Sequence, residues 1–237
     1  MTGPLALVGS GEYLPIMLEV ERSLLVGQPS VYVQIPTGAS TEGPARLAHW
    51  VELGRRQAER LGVESRPVVV VDRADADDPA MAAAMEGAGL IYLSGGKPAH
   101  LADTLRGTAV WAAIEAAWIA GAALAGCSAG AMAMCGEVPD ILRRASGGRL
   151  GFGIVPTLRV IPHFDRNLGR LPDIARRLAV GSPADVTVVG IDEDTALIWR
   201  DGAWTVAGRQ AVWLLDGDGR APHRAGATVD LPPPVTG

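Results

Sequence analysis

The chain has 237 residues, of which 48% are hydrophobic and 20% charged, the composition of a globular protein that can bury a sizeable core. Its net charge is −5 and it contains no basic cluster, so nucleic acid is not an expected partner. The two cysteines, Cys127 and Cys135, are too few for a disulfide framework and favour a reducing, cytoplasmic location.

Short apolar runs alternate with amphipathic segments in the first half of the chain. The N-terminus lacks the basic and long apolar segments of a signal peptide and leads directly into a strand. Strands are predicted at residues 5–8, 31–35, 66–71, 89–93 and 121–125, and helices at 13–25, 42–61, 98–105 and 108–119. This alternation predicts an α/β fold with a doubly wound, mostly parallel sheet.

Residues 110–135 are apolar enough to suggest a membrane span. Glu115 interrupts the run, glycines recur, and alanine is more frequent than leucine. We therefore interpret the segment as a helix, a buried strand, a sharp turn and a second helix, and expect no membrane association.

That turn carries the first candidate site residue. Residues 124–132 read Leu-Ala-Gly-Cys-Ser-Ala-Gly-Ala-Met, a G-x-S-x-G motif between a strand and a helix, which is typical of a nucleophile elbow. Gly126 and Gly130 allow close backbone approach, and the Ala129 amide points to where an oxyanion would form. Ser128 is the predicted nucleophile, and the alternative is a packing turn with an idle serine.

Cys127 is a second candidate nucleophile in the same turn. Class I glutamine amidotransferases carry a cysteine in a similar elbow. The residues two positions away on either side of Cys127 are Ala125 and Ala129, which do not tolerate positive φ as glycine does. This spacing favours Ser128 over Cys127.

The second half of the chain continues the pattern. Residues 136–153 read as a surface loop, 155–161 and 187–191 as strands, and 167–180 as a helix. A hairpin is predicted from 196–199 to 203–206 around an Asp-Gly turn, extended antiparallel by 210–219. We expect one domain over residues 1–237, with a poorly ordered, proline-rich tail at 231–237.

A serine nucleophile needs a base and a group that orients the base. Among four histidines, His163 directly follows a predicted strand, where α/β enzymes place catalytic groups. The orienting acid stays open between Asp140, after the elbow helix, and the run Asp192, Glu193 and Asp194 after the next strand. The paired glycines after strand 89–93 can bring another backbone amide to the site.

Four segments together resemble one family. They are Leu-Ser-Gly-Gly-Lys-Pro-Ala-His-Leu at 93–101, Gly-Cys-Ser-Ala-Gly-Ala at 126–131, Pro-His-Phe-Asp-Arg at 162–166 and Gly-Ile-Asp-Glu-Asp-Thr-Ala-Leu at 190–197. The chain resembles the serine peptidases that include aspartyl dipeptidase (dipeptidase E) and cyanophycinase, and the last segment is more similar to cyanophycinase. The resemblance implies a flavodoxin-type, class I glutamine-amidotransferase-like fold.

By this resemblance Ser128 is the nucleophile, His163 the base and Glu193 the third member of a triad, with Asp140 as a reserve acid. The amides of Gly96 and Ala129 would form the oxyanion hole. No metal or cofactor is implied. The sequence departs from the family at Pro162, where cyanophycinases have glutamine, and at Lys97, where relatives carry an uncharged polar residue.

Two cations lie close to these residues in the sequence. Lys97 follows Gly96, and Arg166 lies three residues after His163, so both are candidates for binding a substrate carboxylate. The expected function is a serine exopeptidase for small peptides with aspartyl or β-aspartyl linkages. The alternatives are an amidase or amidotransferase that uses Cys127, and a non-catalytic small-molecule-binding protein on the same fold. A homodimer is left open.

Overall fold

A computed structural model describes residues 2–138, 149–168, 183–216 and 219–236. Asp140 and most of the expected helix at 167–180 lie outside these ranges. The strands are β1 (Leu5–Val8), β2 (Val31–Ile35), β3 (Glu64–Pro67), β4 (Leu90–Leu93), β5 (Ala123–Cys127), β6 (Glu137–Val138), β7 (Arg149–Leu150), β8 (Leu158–Ile161), β9 (Thr187–Ile191), β10 (Thr195–Arg200), β11 (Ala203–Gly208), β12 (Ala211–Asp216), β13 (Gly219–Arg224) and β14 (Thr228–Val229). The helices are α1 (Leu18–Leu25), α2 (Pro44–Leu61), α3 (Arg73–Ala76), α4 (Pro79–Ala83), α5 (Pro98–Leu105), α6 (Ala109–Ile119) and α7 (Ala129–Ala133).

The central sheet has eight strands in the order β14-β11-β10-β1-β5-β4-β2-β3. The five strands from β1 to β3 in this order run parallel, and the other three are added antiparallel beside β1. The predicted mostly parallel, flavodoxin-like sheet with an antiparallel C-terminal hairpin is confirmed. In the hairpin turn, Asp201 and Gly202 have φ of 52° and 83°, the two positive values that a type I′ turn requires.

β1 shows how the sheet is covered on both faces. Leu5 and Leu7 pack into the core on one face, and Ala6 and Val8 into the core on the other. All four side chains are buried because helices cover both sides of the sheet. A central parallel strand therefore reads as an unbroken apolar run rather than as an alternating one.

A second sheet was not foreseen. β8 and β9, the strands at 158–161 and 187–191, form a separate four-stranded sheet of order β13-β12-β9-β8. β12 pairs with β9 and not with β11, so residues 210–219 do not extend the hairpin as predicted. The apolar pattern of a strand gives its two faces, but its hydrogen-bonding partner depends on segments far away in the chain.

The apolar segment 110–135 forms most of α6, then β5 and α7, as interpreted from the sequence. No helix in the described ranges combines the length and apolar character needed to cross a membrane. Two hydrogen bonds join the C-terminal segment to the body of the protein. Trp204 Nε1 donates to the carbonyl oxygen of Pro232 (2.9 Å) and Val235 N to that of Ile154 (2.8 Å).

Candidate active site

Ser128 lies between β5 and α7 with φ 50° and ψ −102°, a strained conformation for a residue with a Cβ. Its amide donates to the carbonyl oxygen of Val8 (2.8 Å), which holds the turn against the end of β1. A Cβ on Gly126 would lie 2.6 Å from the carbonyl carbon of Gly130, and one on Gly130 would lie 2.5 Å from the oxygen of Leu93. The two glycines are therefore needed for close backbone packing, as the elbow motif predicts.

His163 follows β8 and also has a positive φ, 50°. A rare π-helical turn, Phe164–Leu168, begins immediately after it. His163 Nε2 lies 3.0 Å from Ser128 Oγ, within hydrogen-bonding distance. The second sheet thus supplies the histidine and the central sheet supplies the serine.

Glu193 follows β9, the parallel neighbour of β8. Its Oε1 lies 3.0 Å from His163 Nδ1, and its side chain is 17% exposed. The structure thus aligns Ser128 Oγ, the two ring nitrogens of His163 and Glu193 Oε1 in one line of hydrogen bonds. Such a line can move the serine proton to the imidazole and stabilise the imidazolium that forms.

The acids on either side of Glu193 face other partners. Asp192 is buried, accepts from Trp213 Nε1 (3.0 Å) and has a pKa raised by burial. Asp194 lies 3.9 Å from Arg209. Of the three consecutive acids, Glu193 is the one brought to His163.

Arg166 contacts Glu193 directly, which the sequence did not predict. Its Nε is 2.7 Å from Glu193 Oε2, on the oxygen that His163 does not use. The Arg166 side chain is 72% exposed, and Lys97 is exposed at the start of α5. The two cations are therefore placed differently: Arg166 contacts Glu193, and Lys97 adjoins the paired glycines.

Asp165 and Gln210 were not recognised in the sequence. Asp165 Oδ1 accepts from the Glu193 amide (2.9 Å), and its Oδ2 accepts from Gln210 Nε2 (3.1 Å). Gln210 Nε2 also lies 3.0 Å from the Glu193 carbonyl oxygen. Asp165 stood inside the Pro-His-Phe-Asp-Arg motif, whereas no sequence signal marked Gln210.

The paired glycines lie beside the serine. A Cβ on Gly95 would be 3.7 Å from that of Ser128. Gly96 has φ 124° and packs so closely on Gly38 that a Cβ would lie 2.3 Å from the Gly38 carbonyl. Ala129 is the first residue of α7, so its amide has no carbonyl partner within the helix. The Gly96 and Ala129 amides are thus on segments adjoining Ser128.

Cys127 is fully buried at the end of β5. Its Sγ donates to Glu12 Oε2 (2.9 Å). Burial first, and then the neighbouring Glu12 carboxylate, raise the pKa of the thiol well above its usual value. Since the thiolate is the nucleophilic form, the site disfavours attack by Cys127.

A metal centre has no evident ligand set here. Within residues 2–138, 149–168, 183–216 and 219–236, no group of three or more His, Cys, Asp or Glu side chains could hold a metal ion.

Comparison with known proteins agrees with the motifs. A family model described as peptidase family S51 matches residues 5–207. Cyanophycinase from Trichormus variabilis is 30% identical over 207 residues, which cover 80% of this chain but 65% of the relative. Cyanophycinase from Synechococcus elongatus is 34% identical over 171 residues, covering 66% of this chain and 51% of the relative. The chain thus spans less than two thirds of the length of the curated relatives it matches.

Two solved structures share the fold. A peptidase from an acI-B1 Actinobacterium superposes with a TM-score of 0.89 at 43% identity, covering 98% of each chain. A peptidase-E-like protein from Listeria monocytogenes gives a TM-score of 0.65 at 19% identity, over 88% of this chain and 100% of the other. At 19% identity the second comparison supports the fold alone.

Proposed function

The chain belongs to peptidase family S51, and we propose that it is a serine-type peptidase that uses Ser128, His163 and Glu193 as a triad. The observation that carries the proposal is the continuous hydrogen-bonded line through these three side chains, with both contacts at 3.0 Å. Family membership agrees with the resemblance inferred from the sequence motifs. The roles of the individual residues rest on the geometry of the site.

In this proposal Ser128 Oγ attacks the scissile carbonyl carbon while His163 Nε2 accepts the serine proton. His163 then gives that proton to the leaving amine as the C–N bond breaks, which leaves an acyl-enzyme. Water, deprotonated by His163, hydrolyses the ester and regenerates Ser128. Glu193 holds Nδ1 of the ring protonated and stabilises the imidazolium.

The negative oxygen of each tetrahedral intermediate needs preorganised donors. The amides of Gly96 and Ala129 are suited to this task because they flank Ser128 from two different segments. One such donor is commonly worth about 3 kcal/mol of transition-state stabilisation, which corresponds to a rate effect of roughly a hundredfold.

For the substrate we propose small peptides with an acidic residue or free carboxylate next to the scissile bond, including aspartyl and β-aspartyl dipeptides. Lys97 and Arg166 support this choice because Arg166 contacts Glu193 and Lys97 directly follows the paired glycines. Arg166 contacts Glu193 through Nε, and a guanidinium carries four further N–H donors on its terminal nitrogens. These donors can bind a carboxylate bidentately.

The nucleophile is tested by labelling and substitution. A fluorophosphonate should label the wild-type protein at Ser128, as located by mass spectrometry, and Ser128→Ala should abolish labelling and lower kcat by roughly 10⁴-fold or more. Cys127→Ser is the matched control and should retain most activity. Loss of activity on thiol alkylation, with hydrolysis intact in Ser128→Ala, would instead support the amidase or amidotransferase alternative.

The acid is tested by a pair of substitutions. Glu193→Gln should leave the fold intact and lower kcat strongly, because the neutral amide no longer stabilises the imidazolium. Asp140→Asn should have little effect on kcat. The opposite pattern would assign the orienting role to Asp140.

A further inference from the structure

Glu12 lies in a turn that leads from the end of β1 towards the candidate active site. The residues on both sides of it have positive φ, 89° at Gly11 and 64° at Tyr13. A positive φ is uncommon for a bulky side chain such as tyrosine and persists where surrounding contacts enforce it. The turn therefore presents the Glu12 side chain in a direction that ordinary extended or helical backbone would not give.

Tyr13 supplies those enforcing contacts. Its buried hydroxyl lies 2.5 Å from Ser94 Oγ and accepts from Gln34 Nε2 (2.9 Å). Ser94 immediately precedes the paired glycines after β4. The turn containing Glu12 is thus anchored to the same segment that carries the Gly96 amide.

The Glu12 carboxylate joins two segments of the site. Its Oε1 accepts from the Gly95 amide (3.1 Å), and its Oε2 accepts from Cys127 Sγ (2.9 Å). Gly95 precedes Gly96, and Cys127 precedes Ser128 and Ala129. One side chain therefore contacts the residue just before Gly96 and the residue just before Ser128.

Gly95 has no side chain, and this leaves room for the Glu12 carboxylate. A Cβ at Gly95 would lie 2.4 Å from Glu12 Oε1, so a larger residue there would require the Glu12 carboxylate to move out of its contact. Gly96 is required for a different reason, its approach to Gly38. The two consecutive glycines thus serve two separate contacts, and the first of them is with Glu12.

We propose that Glu12 is a positioning residue that sets the distance between the two oxyanion-donor segments by holding Gly95 and Cys127 at once. The inference rests on the proposed function, because it concerns donors to the oxyanion of a serine-peptidase reaction. Oxyanion donors are effective only when they are held in place before the reaction, and a misplacement of about 1 Å can reduce the rate roughly a hundredfold.

The chemistry of the carboxylate explains why glutamate is required. Both partners are donors, and an ionised carboxylate has acceptor sites on both oxygens. A glutamine has the same shape but can offer its oxygen to one partner only, so its NH₂ group must face either the Gly95 amide, which is a donor, or the Cys127 sulfur, which is a weak acceptor. An aspartate has the right charge but is one methylene too short to reach both.

The negative charge of Glu12 and its positioning role predict opposite changes in rate when the carboxylate is replaced. A negative charge near an oxyanion hole opposes the oxyanion, so if charge were the main effect of Glu12, its removal would raise the rate. If position dominates, Glu12→Gln lowers the rate despite removing the unfavourable charge. The sign of the change therefore distinguishes the two.

The test compares Glu12→Gln and Glu12→Asp with wild type, using a dipeptide that wild type hydrolyses and a fluorophosphonate. We expect both variants to lower kcat by about ten- to a hundredfold with KM within about threefold, since only transition-state interactions are lost. The maximal rate of fluorophosphonate labelling at saturation should fall in parallel. Cys127→Ser keeps a donor for Oε2, so its kcat should be higher than that of Cys127→Ala. Glu21→Gln, which neutralises a buried acid in α1, is the matched control and should keep the wild-type kcat.

An unchanged or raised kcat in Glu12→Gln, or a change confined to KM, overturns the inference. Should Glu12→Gln fail to fold, Glu12→Asp and Cys127→Ala carry the test, and both must lower kcat while KM stays within the same limits. Absence of hydrolysis and labelling in wild type would refute the proposed function itself. A wild type and a Glu12→Gln variant that are labelled equally fast would refute only the role of Glu12.

Discussion

At the scale of single residues, the unusual backbone conformations gather at the site. Among the described residues other than glycine, five have a positive φ. Tyr13, Ser128, His163 and Asp194 lie in the turns that build or adjoin the site, and the fifth, Asp201, lies in the hairpin turn. Each such residue costs of order 1–3 kcal/mol and persists where its surroundings enforce it. This concentration agrees with a functional rather than a merely structural role for these turns.

Arg166 carries a prediction at this scale. Arg166→Lys should lower kcat/KM for Asp-Leu and β-Asp-Arg by roughly tenfold or more, because a point charge replaces a planar fork. The loss for Ala-Leu should be smaller. The measurement is kcat/KM for all three dipeptides on both proteins. An equal loss on all three would show that Arg166 acts through its contact with Glu193 and not on a substrate carboxylate.

At the scale of elements, the site depends on how the two sheets meet. The serine comes from the central sheet, and the histidine and glutamate come from the ends of β8 and β9 in the second sheet. Because β8 and β9 are parallel neighbours, their carboxyl ends deliver His163 and Glu193 side by side. The π-helical turn after His163 then returns Asp165 to the Glu193 amide.

The Asp165 contact gives a prediction at the element scale. Asp165→Asn keeps only one acceptor for the donors of Glu193 and Gln210, so one hydrogen bond is lost and the turn after β8 is held less firmly. We expect kcat to fall by about tenfold, with a thermal midpoint lower by a few degrees. Asp194→Asn, at the weaker 3.9 Å contact with Arg209, is the control. Equal kcat in wild type and Asp165→Asn would contradict this role.

At the scale of the whole molecule, a buried acid links stability to pH. Glu21 in α1 is 1% exposed, and burial raises the pKa of its carboxyl from 4.5 to about 8, with Gln57 and Arg60 offsetting only part of the effect. Between these two pH values the folded protein holds a proton that the unfolded chain has lost. The contribution of Glu21 to the free energy of unfolding should therefore fall as the pH rises from 4.5 to 8 and level off above it.

Glu21→Gln removes this titration. The variant should be more stable than wild type at pH 7, by on the order of 3 kcal/mol, and nearly equal to it at pH 4.5. Urea unfolding at pH 4.5, 7 and 8.5 measures the difference, with Glu19→Gln, an exposed acid in the same helix, as the control. Parallel stability curves for Glu21→Gln and wild type would contradict a raised pKa at Glu21.

The sequence alone was sufficient for features that depend on near neighbours in the chain. The elbow at Ser128 follows from glycines two residues away on either side. The hairpin turn follows from the Asp201-Gly202 dipeptide, whose residues tolerate the positive φ that the turn requires. The central parallel sheet follows from continuous apolar runs alternating with helices. In each case the backbone conformation is dictated by residues within a few positions, so local pattern is enough.

The tertiary structure alone decided which distant groups meet. Motif spacing left the acid that orients His163 open between Asp140 and the run Asp192, Glu193 and Asp194. The family resemblance pointed to Glu193. Of the three consecutive acids, the fold brings Glu193 to His163. The fold also brings Arg166 into contact with Glu193 and pairs β12 with β9 in the second sheet. Glu12 touches Gly95 and Cys127, which are 83 and 115 positions away in the chain. Such contacts arise from strand pairing and turn direction over long separations, and local propensity and spacing carry no information about them.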